Sequence, residues 1–103
     1  MEQNKRLEDG FTFRKALVKR YHTPFINVNI TKEHIYVDFL RGEPWDDDNS
    51  KYATDFLFAL TKYHVDCKID KESRWSNTKT IILNADMNVN ELIGLLRLEK
   101  PNV

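Results

Sequence analysis

The fold is decided by residues 50–64, which read S-K-Y-A-T-D-F-L-F-A-L-T-K-Y-H. Apolar side chains recur there every three or four residues, the spacing that places them on one face of an α-helix. The stripe consists of Tyr52, Ala53, Phe56, Leu57, Ala59, Leu60 and Tyr63. Segments with β-type alternation flank the stretch on both sides, so we predict a buried helix against which a sheet packs.

One aromatic residue departs from this stripe. Phe58 falls on the opposite, polar side of the helix. Its neighbours there are Thr54, Asp55, Thr61 and Lys62. An aromatic residue on a polar helix face indicates either a second packing layer or a partner protein. The sequence leaves both interpretations open.

Hairpins are predicted before and after the central helix. In residues 25–40 apolar side chains alternate with polar ones, and the polar segment 31–34 fits a four-residue loop that pairs Ile30 with Ile35. The residues predicted to share the core face are Ile26, Val28, Ile30, Ile35, Val37 and Phe39. Alternation resumes in residues 65–70 and 79–84, which we interpret as the strands of a second hairpin.

Two outer helices complete the predicted order. Helical spacing runs from Phe11 to His22, and the Thr23-Pro24 pair ends it. Asn88, with Glu91 three residues later, resembles a capping box for a last helix that reaches about Leu98. Residues 1–10 contain the helix breaker pair Asp9-Gly10 and are predicted to be a frayed or flexible start.

The predicted architecture is therefore α+β with the order α-ββ-α-ββ-α. We expect one domain over residues 1–103, with a four-stranded antiparallel sheet and helices packed on one of its faces. The order is broadly similar to the half-unit of LAGLIDADG homing endonucleases, a resemblance that implies an exposed sheet face that reads DNA. The helix motif that defines that family is absent here, because Leu7-Glu8-Asp9-Gly10 has no apolar run before it.

Charge and composition exclude several classes of protein. Sixteen basic and sixteen acidic residues give a formal net charge of zero, which argues against a generic nucleic-acid coat protein and against a DNA mimic. The single cysteine, Cys67, favours a reducing cytoplasm. No apolar run approaches the ~18 residues that a bilayer-spanning helix needs. We expect a cytoplasmic protein without a membrane partner.

Charge is unevenly distributed along the chain. Residues 1–22 hold six basic and three acidic side chains, whereas residues 23–50 hold two basic and six acidic ones. The acidic excess includes the run Asp46-Asp47-Asp48, which precedes the central helix and places favourable negative charge near its N-terminus. We predict a bipolar surface.

Catalytic and metal signatures are weak. Consecutive loop carboxylates do not converge on one point as a two-metal site requires, so a metal-dependent hydrolase or nuclease built on Asp46, Asp47 and Asp48 is a minority hypothesis. His64 and Cys67 have H-x-x-C spacing but lack a second clustered pair, and Cys67 shares the parity of core positions Val65 and Ile69. We predict no catalytic residue, no metal and no cofactor.

The leading hypothesis is a small non-enzymatic protein that binds another macromolecule. A protein partner is favoured, the role being that of an inhibitor or modulator, and the short Asn- and Lys-rich chain suits a phage or mobile element. The residues predicted to bind the partner are Trp45, Asp46, Asp47, Asp48, Phe58 and Trp75. The oligomeric state is left open, a homodimer included.

The alternative hypothesis is a nucleic-acid-binding module. Basic side chains with an interleaved aromatic provide phosphate contact and base stacking. They lie in the N-terminal helix and the second hairpin, and comprise Lys15, Lys19, Arg20, Lys68, Arg74 and Trp75. The sequence does not show whether the two clusters share one face.

Overall fold

The computed structural model describes residues 2–40, 48–70, 79–84 and 88–96, and the side chains of residues 5–40, 51–70, 79–84 and 88–96. The helices are α1 (Glu2–Tyr21), α2 (Asp48–Lys62) and α3 (Val89–Leu95). The strands are β1 (Ile26–Ile30), β2 (His34–Phe39), β3 (Cys67–Asp70) and β4 (Lys79–Asn84). The element order α-ββ-α-ββ-α and the α+β class are confirmed.

The four strands form one antiparallel sheet in the order β1-β2-β4-β3. The predicted register of the first hairpin is confirmed, with Ile30 opposite Ile35 and Val28 opposite Val37. On the other face of this hairpin, Asn29 lies opposite Tyr36. The two hairpins join through β2 and β4, which become the central strands and leave β1 and β3 at the edges.

The core lies between one face of the sheet and the three helices. The fully buried side chains of largest volume come from every layer. They are Tyr21, Phe13, Phe39, Phe56, Leu17, Ile26, Ile35, Leu60, Ile81, Leu83 and Leu92. The strand members of this set all share one parity in the ladder, so the helices pack on a single sheet face, as predicted.

Helix α1 extends further toward the N-terminus than the sequence predicts. It begins at Glu2 and passes through Asp9 and Gly10, so the prediction that the helix starts at Phe11 is wrong. Gly10 is buried, and a β-carbon there would lie 3.6 Å from the carbonyl oxygen of Val28. Packing against β1 therefore outweighs the unfavourable helix propensity of glycine. Fraying of the first ten residues stays a prediction.

The same helix covers the free edge of β1. The N–H of Leu40 donates to the carbonyl of Phe25, so the backbone groups of Phe25 point toward β2. Successive residues of a strand point to opposite sides, and the carbonyl of Ile26 therefore points to the free edge. The Arg14 side chain meets that carbonyl, with its Nε donating to the oxygen of Ile26 at 2.7 Å. Its Nη2 donates to the carbonyl oxygen of Pro24 at 2.9 Å. The β1 edge, which would otherwise present unpaired backbone groups to solvent, is therefore covered by α1.

Helix α2 begins earlier than predicted and ends with a defined cap. Its first residue is Asp48, two residues before the stretch 50–64 from which the helix was predicted. His64 has a φ of 58°, in the left-handed region usually taken by glycine.

Two backbone hydrogen bonds complete this C-terminal cap. The N–H of His64 donates to the carbonyl of Thr61, and the N–H of Val65 donates to the carbonyl of Leu60. This pair of bonds is the Schellman arrangement, and it satisfies carbonyls that the helix end leaves without partners. His64 therefore has a structural explanation that needs no metal.

Helix α3 is capped as predicted at its start. The Asn88 side chain accepts hydrogen bonds from the N–H groups of Asn90 and Glu91, at 2.8 and 3.3 Å. The helix ends at Leu95, short of the predicted end at about Leu98. Its buried residues Val89 and Leu92 attach it to the core.

A buried tyrosine links α1 to α2. The Tyr21 hydroxyl donates to Oδ2 of Asp55 at 2.7 Å. The Tyr21 ring stacks on Tyr52 at 5.1 Å and meets Phe39 edge-on at 6.2 Å. Burial, and then the hydrogen bond and negative charge of Asp55, raise the pKa of Tyr21 above its usual value.

We expect Tyr21→Phe to lower the free energy of unfolding by about 1 kcal/mol at neutral pH, because the hydrogen bond to Asp55 is lost while the ring packing is kept. The folded state holds the phenol proton to higher pH than the unfolded state, whose tyrosines ionise near pH 10. Wild-type stability therefore falls above about pH 10, and Tyr21→Phe should fall less steeply. Urea unfolding of both proteins from neutral pH to about pH 11 measures this, and parallel slopes would contradict it.

Candidate functional site

The outward face of α2 carries an exposed aromatic ring. Phe58 is 70% exposed, whereas Phe56, two residues earlier, is completely buried. Of the two interpretations that the sequence left open for Phe58, the described residues support outward display, because no second layer among them covers it. The helix is amphipathic, and its polar side holds one large apolar side chain near the middle.

Polar and basic side chains surround this ring. Thr54, Thr61 and Lys62 lie three or four residues from Phe58 along the helix and are exposed, as is Lys51 one turn further back. Among the described side chains of α2 the acidic one is Asp55, which is half-buried and accepts the hydrogen bond from Tyr21. The exposed rim of Phe58 therefore carries hydroxyl groups and the positive charge of Lys62.

An apolar groove lies beside α2, where the helix meets the β3 edge of the sheet. It has a volume of about 40 Å³. Its lining residues are Ala53, Thr54, Leu57, Ile69, Lys79 and Ile81. Ile69 lies on the helix side of the sheet, opposite Ile81, but is 46% exposed, because β3 is an edge strand and the groove beside Ile69 is open. The prediction that its neighbour Cys67 is a core residue is only partly right, since Cys67 is half-buried.

A pair of exposed apolar side chains on α1 was not predicted from the sequence. Leu7 and Phe11 are 58% and 71% exposed and lie one turn apart on α1. Their i, i+4 spacing was the available signal. The pair was missed because the helix was predicted to start at Phe11, which placed Leu7 in the frayed N-terminal segment.

Most residues predicted to bind a partner lie outside the described part of the chain. Trp45, Asp46, Asp47 and Trp75 belong to this group, and so does Arg74 of the nucleic-acid hypothesis. Asp48 is the first residue of α2, but its side chain is also beyond the described set. Phe58 is the member of the predicted protein-binding set whose surroundings the structure describes.

The described basic residues of the nucleic-acid hypothesis do not form one surface. Lys15 and Lys19 are exposed on the side of α1 that faces away from Phe13 and Leu17, and therefore away from the sheet. Lys68 lies on the opposite face of the sheet, across from Ile82. Arg20 is half-buried, with its guanidinium carbon 5.8 Å from the ring centre of Tyr21. These four residues of the alternative hypothesis are therefore split between two sides of the fold.

A polar cleft of about 500 Å³ lies at the end of the sheet where β2 and β3 begin. It is lined by Lys32, Glu33, His34, Asp66, Cys67, Lys68, Ile82, Leu83 and Asn84. Burial and the neighbouring Asp66 raise the pKa of the Cys67 thiol, which makes it a poorer nucleophile. Among the described residues, no three His, Cys, Asp or Glu side chains cluster closely enough to hold a metal ion.

Comparison of the chain with protein-family models, with curated proteins and with solved structures gives no match. Within the described ranges, no helix combines the length and the hydropathy that crossing a bilayer requires. Any functional assignment therefore rests on the geometry of the chain itself.

Proposed function

We propose that this chain is a small non-enzymatic cytoplasmic protein that binds another protein and modulates it, and that the outward face of α2 is its binding surface. The observation that carries the proposal is the 70% exposure of Phe58 in the centre of a polar helix face. Large aromatic side chains surrounded by polar residues are typical of binding hot spots.

The energetic argument concerns the ring itself. In the free protein most of the Phe58 side chain contacts water, although the same helix buries Phe56 completely. Transfer of a phenylalanine side chain from water into an apolar pocket contributes about 1.5–3 kcal/mol. A partner that offers such a pocket gains this free energy without unfolding any part of α2, because the ring makes no contribution to the core.

The rim defines the chemistry of the partner. Lys62 places positive charge within about one turn of Phe58, and the half-buried carboxylate of Asp55 accepts the hydrogen bond of Tyr21. We expect the partner to present an apolar pocket bordered by acidic side chains. Opposite charges at the rim accelerate encounter and fix orientation more than they add affinity.

The compartment and the role are parts of the same proposal. One cysteine in the chain supports a reducing compartment. The small size and the absence of a clustered ligand set among the described residues support binding over catalysis. A phage-encoded or mobile-element-encoded inhibitor is the form of this proposal that the Asn- and Lys-rich composition supports.

Affinity capture from a lysate of the native host, followed by quantitative mass spectrometry, tests the proposal. Three baits are compared: the wild-type chain, Phe58→Ala and Phe11→Ala. Phe11 is a matched control, because it is equally exposed at 71% but lies on α1. We expect one protein to be retained by the wild type and by Phe11→Ala and to be lost from Phe58→Ala.

Two results contradict the proposal. Equal capture by Phe58→Ala shows that the face is not used, and loss from both variants shows general apolar adhesion. Steeply salt-dependent binding of DNA or RNA by the purified chain, weakened by Lys15→Ala or Lys68→Ala and unaffected by Phe58→Ala, establishes the nucleic-acid alternative in its place. Each phosphate contacted lowers the affinity by about one log unit per log of salt.

A further inference from the structure

The two edges of the sheet differ in how they are covered. At the β1 edge, Arg14 bonds the outward carbonyl of Ile26, and Gly10 brings α1 to the outward carbonyl of Val28. At the other edge, β3 pairs with β4 alone, and among the described residues no helix or strand lies against its outer side. An uncovered edge strand can pair with another strand.

The ladder pattern shows which backbone groups this edge presents. Each residue of an antiparallel strand directs its N–H and C=O to one side, and successive residues alternate. The bond between Leu40 and Phe25 shows which residues of β1 and β2 point toward each other, and the strand registers extend the same alternation to β4 and β3. The N–H and C=O groups of Lys68 and Asp70 therefore point toward β4. The N–H and C=O of Cys67 and Ile69 then point to the open edge.

We propose that the occupant of this edge is a second copy of the chain, which adds its own β3 antiparallel across a twofold axis at Ile69. The two sheets become one sheet of eight strands. Outward-pointing residues must face each other in such a pairing, so the axis passes through a residue of β3. An axis at Lys68 or Ile69 pairs three of the four strand residues, whereas an axis at Cys67 or Asp70 pairs only one.

Charge selects Ile69 over Lys68 as the position of the axis. With the axis at Ile69, Lys68 of each copy lies opposite Asp70 of the other, so two opposite-charge pairs form on the outer face. An axis at Lys68 places two lysines opposite each other, and an axis at Asp70 places two aspartates opposite each other. Like charges directly opposite across a ladder are destabilising, whereas opposite charges stabilise it.

The β3–β3 interface is also self-complementary on the side of the sheet that faces the helices. In the Ile69 register, the two Ile69 side chains meet on the helix side of the sheet. Each is 46% exposed in the single chain and borders the groove that Leu57 lines. The described edge spans only four residues, or about 13 Å, so the dimer is expected to depend on concentration.

Sedimentation velocity over a wide concentration range tests this surface by charge reversal. Lys68→Glu and Asp70→Lys should each weaken self-association by about tenfold or more, because two opposite-charge pairs become two like-charge pairs. The double variant Lys68→Glu/Asp70→Lys restores the pairing and should dimerise like the wild type. An equimolar mixture of the two single variants should form a heterodimer, since every pair across its β3–β3 interface is again opposite in sign.

Thermal melting of each variant shows whether it folds, and the double variant and the mixture keep the test valid even where a single reversal lowers stability. A wild-type chain that is monomeric at the highest concentration overturns the proposal. So does a dimer whose strength is unchanged in both single variants, or a mixture that remains monomeric. Phe58→Ala should dimerise normally, so this test is separate from that of the α2 surface.

Discussion

Phe56→Ala is expected to lower the free energy of unfolding by about 3–5 kcal/mol, the range found for buried aromatic residues cut back to alanine. Phe56 is fully buried, and its ring centre lies 6.2 Å from that of Phe13 and 5.8 Å from that of Phe39. Truncation therefore opens a cavity where α1, α2 and the sheet meet. Urea or guanidinium unfolding, monitored by circular dichroism, measures the change.

The matched control for this prediction is Phe58→Ala. It removes the same atoms from the same helix, two residues further on, but from a side chain that is 70% exposed. Its effect should lie within about ±0.5 kcal/mol. If Phe58→Ala destabilises the protein as much as Phe56→Ala does, Phe58 is covered in solution and the proposed surface is wrong.

Arg14→Ala is expected to lower the free energy of unfolding by about 1.5–3 kcal/mol, because two hydrogen bonds from a charged donor to backbone carbonyls are lost. The guanidinium joins the Pro24 and Ile26 carbonyls at 2.9 and 2.7 Å and so holds the start of β1 against α1. Arg14→Lys should recover only part of the loss, since an ammonium group lacks the fork that reaches both oxygens.

Lys15→Ala is the control for Arg14. Lys15 is the next residue in α1 and is exposed, so its removal deletes a positive charge of the same helix without opening the β1 edge. We expect a change within about ±0.5 kcal/mol. Equal effects at the two positions would indicate a general charge effect in α1 and would contradict a specific role for Arg14 at the edge.

Local patterns predicted the parts of the fold that depend on neighbouring residues. The register of the first hairpin follows from the alternation around Ile30 and Ile35 and from a short loop, and the structure confirms it. The Asn88 cap was predicted because capping needs only residues within one helical turn. Residues 79–84 were likewise predicted as a strand, with the bounds that β4 has.

Features that depend on distant contacts were not predictable. The start of α1 was placed too late because the helix propensity of Gly10 was read without the packing of β1 against it. Strand order stayed open, since periodicity does not show which hairpin strands meet. The half-exposure of Cys67 and Ile69 follows from the edge position of β3, which the alternation of one strand does not reveal.

The candidate site shows the same division. The helical wheel identified Phe58 as a residue outside the apolar stripe, and only the arrangement of the layers shows that it is exposed. Arg14 entered the sequence interpretation only as one of the six basic side chains in residues 1–22, yet its guanidinium donates to the backbone of β1. Leu7 and Phe11 were missed because their spacing has meaning only once α1 is known to extend through both.

The most direct test of the α2 surface is an isothermal titration of the captured partner, in purified form, with the wild-type chain and with Phe58→Ala. The account predicts that the dissociation constant of Phe58→Ala is larger by about 30-fold or more, the level of a binding hot spot. The melting temperature should be unchanged, because Phe58 contributes nothing to the core. Equal dissociation constants for the two proteins would contradict the central claim.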